Sequence, residues 1–382
     1  MSRFQKTIYI IHFQAIELYP PILNLLEFAS LYYQHLDIKV ITNNSSNIVG
    51  EVKYSSEKIH IKRLIYVSKN FPFYRRIFGY FYFNIYCILT LFSKLPRIVF
   101  YYETISAFPA LVYKLITGNK SVLFAHYHEY TTPGEYKSGM VLNKINHWLE
   151  QKCYHSYAWI SHTNEFRLNK FRSDISAIKM EKIYFAVMPN YPSKNWECRP
   201  MEKLLKPYKL VMVGAIGYTT MYLRELVEWV AANPDILSLD LYSNNIEDEA
   251  ASYLKLSQHI NVRLKSAVPY QELPEILKKY DIGIVMYKPF SENTIYAASN
   301  KLFEYLIVGL DVWFPGNMLG TIPYIRQINY PKILPLDFNN LKQLDIESLA
   351  NRVNLTYLKS EFVYENVFQE IFEKLSKDLN LL

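Results

Sequence analysis

Short runs in which almost every position is apolar alternate along this chain with longer runs in which apolar residues recur every three or four positions. "TIYIIHF" near the start is such an unbroken run, the character of a strand covered on both faces. A helical pattern follows from Pro21 to about Gln34, then "LDIKVIT". The alternation continues through "RIVFYYE", a helix from Ala107 to Ile116, "SVLFAHYH", a helix near Met140 to Ser156, "YAWISHT" and "KIYFAVMPN". A strand–helix series of this kind predicts a parallel sheet with helices on both faces.

The series breaks at "YPSKNWECRPMEKLLKPYK", where Pro192, Pro200 and Pro207 stand among mixed charges and mark a linker. It restarts with "YKLVMVGAIG", a helix from Met221 to Ala232, "LSLDLYS", a helix near Glu247 to His259, "INVRLKS", a helix from Tyr270 to Tyr280, "DIGIVMY", a helix from Ser299 to Val308, and "DVWFP". The expected organisation is a doubly wound domain over residues 1–192, a linker over 193–207, a second such domain over 208–359, and a final helix over 360–382 that packs back on the first domain. The fold class is α/β, with two Rossmann-like domains facing a cleft and ligands held at the carboxyl ends of the strands.

One segment carries two readings. Ile77 to Phe92, "IFGYFYFNIYCILTLF", holds no charge and is preceded by Arg75 and Arg76 and followed by Lys94. A spanning helix needs about 20 apolar residues, so a buried helix is the plainer reading. The alternative is an aromatic, basic-flanked face over residues 75–94 that rests on a membrane.

Composition changes this picture little. Of 382 residues, half are hydrophobic and a fifth charged, as in globular chains, and the length exceeds one comfortable core. The net charge of +7 favours acidic partners such as phosphates or an anionic surface, but no Lys/Arg run or zinc-finger pattern points to nucleic acid. Three dispersed cysteines argue against a disulfide framework or zinc site and for a reducing, cytoplasmic compartment. The N-terminal stretch reads as a first strand, without the small-residue cleavage site of a signal peptide.

The candidate chemistry sits at the ends of the apolar runs. In "SNKLFEYLIVGLDV", Ser299 and Asn300 cap a helix whose first turn carries Lys301 and Glu304. A helix N-terminus offers free N–H groups to a phosphate, and a lysine there adds a full charge; a solvated Lys301–Glu304 pair is the bland alternative. Gly214 and Gly217 in "VGAIGYTTMY" would let a backbone approach phosphate. In "FAHYHEY", His126 and His128 alternate on one side of a strand end, where imidazole can bond a sugar hydroxyl or act as a base.

Together "HFQAIELYPPILNLL", "AHYHEY", "AVMPNYP", "VPYQELPEILKKYDIGIVMY" and "SNKLFEYLIVGLDV" resemble, in order along nearly the whole chain, the GT-B glycosyltransferases, specifically the family-4-like bacterial enzymes of surface polysaccharide assembly. The resemblance implies transfer of a sugar from a nucleoside diphosphate donor, bound by the second domain, to a glycan or lipid-linked acceptor on the first. It implies that Glu304 bonds the donor ribose and that His128, with Glu129, faces the donor sugar. In that family a second carboxylate stands eight positions before the first. Here that position is Tyr296, and Glu292 is the nearby substitute. The basic pair usual after the first strand of the second domain is replaced by Ala215 and Thr220. Glu103, Glu129 and Glu135 are further carboxylates, one of which would serve as general base toward the acceptor if the reaction inverts; the resemblance leans toward retention. No Asp-x-Asp motif is present, so neither a metal nor another cofactor is expected. A nucleotide-sugar 2-epimerase and a non-catalytic glycan- or nucleotide-binding protein are the alternatives.

Overall fold

A computed structural model describes residues 4–44, 54–68, 71–139, 141–175, 183–198 and 204–379. The chain divides into two units, one formed by Met1–Asn190 with Tyr364–Leu382 and the other by Tyr191–Val363.

In the first unit β1 (Gln5–His12) leads through α1 (Pro20–Tyr32) to β2 (Asp37–Asn44), β3 (Ile59–Tyr66), α2 (Phe73–Lys94), β4 (Pro96–Tyr102) and α3 (Ala107–Thr117). Then come β5 (Val122–Tyr127), α4 (Pro133–Ser138), α5 (Val141–Cys153), β6 (Tyr157–His162), α6 (Glu165–Asp174) and β7 (Tyr184–Val187). All pairings are parallel, in the order β3-β2-β1-β4-β5-β6-β7. Strands buried on both faces explain the unbroken apolar runs. On one face, α1 and the C-terminal helix Tyr364–Asp378 cover Ile8, Ile10, Phe100 and Phe124. Phe28 of α1 meets the rings of Tyr364, Phe368 and Phe372, so the final helix packs back on the first unit as its apolar stripe predicts. The other face is covered by α2, α3 and α5 through residues such as Phe83, Leu111 and Cys153.

One buried charge anchors α5. Glu150 is fully enclosed, and its carboxylate accepts from the hydroxyls of Tyr101 and Tyr127 at 2.7 Å each and from Thr104 Oγ1 at 3.0 Å. A buried carboxylate is tolerable because its lone pairs are filled in this way, and the network ties the end of β4 to α5.

The second unit runs β8 (Tyr208–Val213), α7 (Leu223–Ala231), β9 (Leu237–Tyr242), α8 (Asp248–Leu256), β10 (Val262–Lys265), α9 (Leu273–Leu277), β11 (Ile282–Ile284), α10 (Glu292–Ile295), α11 (Asn300–Ile307) and β12 (Asp311–Pro315). It ends with β13 (Asn329–Tyr330), β14 (Ile333–Leu336), α12 (Ile346–Ala350) and β15 (Thr356–Tyr357). Its main sheet has the order β10-β9-β8-β11-β12-β14, and β13 pairs with β15 apart from it. Arg352 clamps the start of β12: its Nη2 and Nε donate to the two oxygens of Asp311 at 3.0 and 3.2 Å, both side chains being essentially inaccessible.

The segment Ile77–Phe92 is neither wholly core nor wholly surface. It forms most of α2, which buries Tyr80, Phe83, Cys87 and Leu91 and leaves Phe78, Phe81, Tyr82, Ile85 and Leu89 exposed. By length and composition α2 would suffice to cross a membrane, yet it is a layer of the first unit.

Candidate active site

In a doubly wound sheet, chain connections leave in opposite directions at one point, and a crevice opens there at the carboxyl ends of the strands. Strand order places that point between β8 and β11 in the second sheet and between β1 and β4 in the first. Most of the candidate residues lie at these two places, each on its own unit.

In the second unit, Ser299 caps α11, its Oγ accepting the Lys301 N–H at 3.3 Å. The helix is held from below by Tyr305, whose hydroxyl accepts the Val213 N–H at 3.0 Å and so fixes the end of β8 to α11. Just beyond, Gly214 holds φ at 138°, and no atom lies within 4 Å of where a Cβ would stand. A residue with a side chain would be strained there, and the backbone is left open to approach. Gly217 is needed for a different reason: a Cβ would strike the Thr220 hydroxyl. A shallow depression bordered by Met212, Met221, Tyr287, Ser299 and Lys301 joins these elements.

Glu304 is 1% exposed, so the solvated-pair reading of the first turn does not hold. Lys301 Nζ meets its Oε2 at 2.5 Å, but its Oε1 is buried and has no hydrogen-bond partner among the described residues. Burial pushes the carboxyl pKa up and the Lys301 charge opposes that shift. A half-satisfied buried carboxylate costs stability. Lys288 Nζ bonds Glu225 at 3.0 Å, and Arg224 pairs with Glu228 along the exposed side of α7. Asn300 opens α11; Glu292 opens α10, whose cap is Ser291; and Tyr296 closes α10, its carbonyl packed against Gly320.

In the first unit, Glu103 follows β4 with φ at 65°, a region that residues with a Cβ seldom occupy and that is stabilised here by its partners. Its Oε1 accepts from Tyr19 Oη and from the His128 backbone N–H, both at 2.8 Å. Burial, then the charge of Glu129, raise its pKa to about 7. The ring of Tyr19 packs between His12, at 4.2 Å, and His128, at 5.7 Å. Burial lowers the pKa of His128 to about 3, with help from the Arg167 charge, so the ring is neutral at ordinary pH. His126, buried one step behind with its ring 6.4 Å from that of His128, shares a hydrogen bond of 3.0 Å with Ser161 Oγ. Arg167 Nη1 donates to the His128 carbonyl at 2.5 Å and to Thr163 Oγ1 at 2.9 Å; burial lowers its pKa to about 10, which leaves it charged.

The structure thus brings Glu103, His126 and His128 together, with the exposed Glu129 adjoining. Glu135 is engaged elsewhere: it is exposed, and its carboxylate accepts the Thr132 N–H at 2.7 Å in the capping box of α4. Sequence reasoning missed Tyr19 and Arg167. The signal for Arg167 was present, because "HTNEFR" places a capping asparagine and then an arginine at the end of a strand. Nothing local marked Tyr19. Among the described residues no group of three His, Cys, Asp or Glu side chains is placed to hold a metal ion.

The architecture is the GT-B fold, two units that are each a parallel sheet flanked by helices. No family model and no curated protein matches the chain, whereas solved structures do over nearly its whole length. HepE of Anabaena in complex with UDP and glucose is 12% identical, with a TM-score of 0.63, covering 97% of this chain and 99% of that one. The lipopolysaccharide outer core galactosyltransferase WaaB is also 12% identical, with a TM-score of 0.58, covering 96% and 99%. The UDP-GlcNAc 2-epimerase of Neisseria meningitidis bound to UDP-GlcNAc is similar at 12% identity and a TM-score of 0.57, covering 97% and 99%.

Proposed function

We propose that the protein is a glycosyltransferase that moves a hexose-type sugar from a nucleoside diphosphate donor to a glycan acceptor in bacterial surface polysaccharide synthesis, with retention at the anomeric carbon. The observation that carries this reading is the pair at the start of α11, where Glu304 is buried with one oxygen unsatisfied beside Lys301. A donor diphosphate at the helix N-terminus draws Lys301 Nζ toward it. That frees Glu304 Oε2, and both oxygens then accept the ribose hydroxyls. In the reaction the bond from the anomeric carbon to the diphosphate oxygen breaks, the acceptor oxygen takes its place on the same face, and the acceptor's proton passes to the departing diphosphate. Lys301 and the N–H groups of α11 offset the charge that develops on the leaving diphosphate. On the first unit, His128 is neutral and suited to bond a sugar hydroxyl. The solved relatives that bind UDP or a UDP-sugar support the donor class, and the UDP-sugars are the first to try.

The test is a thermal-shift panel of nucleoside diphosphates and nucleotide sugars, since a ligand that binds the folded state raises the midpoint by mass action. One nucleotide series raises the midpoint, and Lys301→Ala and Glu304→Ala abolish the rise. Binding that survives both variants overturns the assignment. A second reading, a nucleotide-sugar 2-epimerase, is favoured by Glu103, whose raised pKa suits proton transfer. Incubation with a nucleotide sugar alone separates the two: interconversion of the free donor supports the epimerase, and its absence, with nucleotide release only when acceptor is added, supports the transferase.

A further inference from the structure

α2 has two apolar faces. The buried one carries Tyr80, Phe83, Cys87 and Leu91. At 100° per residue, Tyr74, Phe78, Phe81, Tyr82, Ile85 and Leu89 fall within an arc of about 100° on the opposite side. Every one of these side chains is exposed, Phe78 at 66% and Leu89 at 65%. A surface helix of an ordinary soluble domain is polar on that side. The neighbouring α5 repeats the pattern on a smaller scale. Its inner side holds Asn146, Glu150 and Cys153, while Val141, Ile145 and Trp148 point outward at 68%, 47% and 57% exposure. The two helices lie on the same face of the sheet and touch through a hydrogen bond of 2.8 Å from Asn146 to Tyr80 Oη. The two outward stripes thus face the same side of the first unit, and α2 alone is about 33 Å long at the helical rise of 1.5 Å per residue.

The exposed charges on α2, α3 and α5 have one sign. α2 contains no Asp or Glu and carries Arg75, Arg76 and Lys94. α3, between the two, contains no acid either. On α5 the single acid, Glu150, is buried, and Lys144 and Lys152 are exposed, Lys152 Nζ lying 5.7 Å from the Trp148 ring. A second copy of the chain seated on this face by two-fold symmetry would bring the same bases against one another. An aromatic and aliphatic stripe on helices whose exposed charges are basic instead matches the interface of a bilayer with anionic headgroups, rings at the headgroup level and bases on the phosphates.

We infer that the outer face of α2 and α5 docks the first unit onto an anionic membrane surface. The helix lies in the interface plane, because its inner face is occupied by the sheet. The inference stands on exposure and charge alone, so it does not depend on the donor-site reading. If both hold, the acceptor is a lipid-linked glycan met at that surface.

The test uses the full chain in flotation with vesicles of phosphatidylcholine, with and without phosphatidylglycerol. Each base near an anionic surface strengthens binding by about fivefold, so binding to the anionic vesicles exceeds that to neutral ones by at least about tenfold and weakens at high salt. The triple variant Phe78→Ser, Phe81→Ser, Leu89→Ser, altered only at exposed positions, lowers the bound fraction at least about tenfold while keeping its thermal midpoint. Bromine-labelled lipids quench part of the tryptophan emission, and Trp148→Phe removes that part. No flotation with anionic vesicles, or quenching unchanged in Trp148→Phe, overturns the inference. So does a wild-type dimer that the triple variant converts to monomer, since a second copy then covers the face. Nucleotide-induced thermal shifts measured without lipid are unaffected by the triple variant, which keeps failure here separate from failure of the donor assignment.

Discussion

Replacing Glu304 with glutamine separates what this side chain does for the fold from what it does for a ligand. The carboxylate is 1% exposed, accepts from Lys301 at Oε2 and has no partner at Oε1 among the described residues. An unsatisfied buried polar group costs about 1–3 kcal/mol, more if charged, and the partner bond to Lys301 returns a similar amount. Glu304→Gln removes the buried charge and keeps the shape, so the two effects oppose each other and stability changes by no more than about 1 kcal/mol. For a domain of this size that is about 2–4 °C in midpoint. Ligand binding responds quite differently. An amide has one acceptor oxygen where the carboxylate has two, and it is uncharged. At least one charge-assisted hydrogen bond to the ribose is lost, at about 1.5–3 kcal/mol, which weakens nucleoside diphosphate binding by about 10- to 150-fold. Calorimetric titration with the nucleotide selected by the thermal-shift panel, alongside unfolding of the ligand-free variant, measures both quantities. A midpoint that falls by many degrees while the dissociation constant stays unchanged refutes the reasoning, for Glu304 would then be a structural residue.

Three further outcomes follow from the geometry. The Glu103 pKa is raised from 4.5 to about 7, so the fold favours its protonated form. Its contribution to stability is full below the unfolded value and is lost as pH rises through about 7; Glu103→Gln flattens that part of the stability–pH profile and, if the ionised carboxylate takes a proton in the reaction, removes the acidic limb of the rate profile. Arg352→Met leaves Asp311 buried without its bidentate partner, and denaturant unfolding shows a loss of about 3–5 kcal/mol, whereas Arg224→Met, at an exposed position paired with Glu228, changes stability by less than about 1 kcal/mol. Tyr305→Phe strips the Val213 N–H of its acceptor and costs about 1–3 kcal/mol, with weaker nucleotide binding because the end of β8 and α11 are no longer tied.

The order of strands and helices was legible along the chain because both elements announce themselves by period. The unbroken apolar run of β1 and the three-and-four spacing of α11 follow from local backbone geometry and burial on one or two faces. So was the pairing of Lys301 with Glu304, which one helical turn dictates. β3 went unread although Ile59, Ile61 and their polar neighbours alternate, because an edge strand has one partner and a weaker apolar signal. Glu103 was legible only as a carboxylate at a strand end. Its unusual backbone, its raised pKa and its bonds to Tyr19 and His128 arise because β1, β4 and β5 end side by side, and no spacing along the chain encodes that.

The burial of Glu304 belonged to the same category. Its pairing with Lys301 one turn away suggests a surface turn, and only the packing of α11 against the sheet removes it from water. The two readings of residues 77–92 show the limit most plainly. When a helix is apolar all round, its sequence carries no period to say which side is covered. Composition determined that the segment is helical and apolar. The sheet of the first unit decided which side is core, and by leaving the other side open it decided where a membrane can rest.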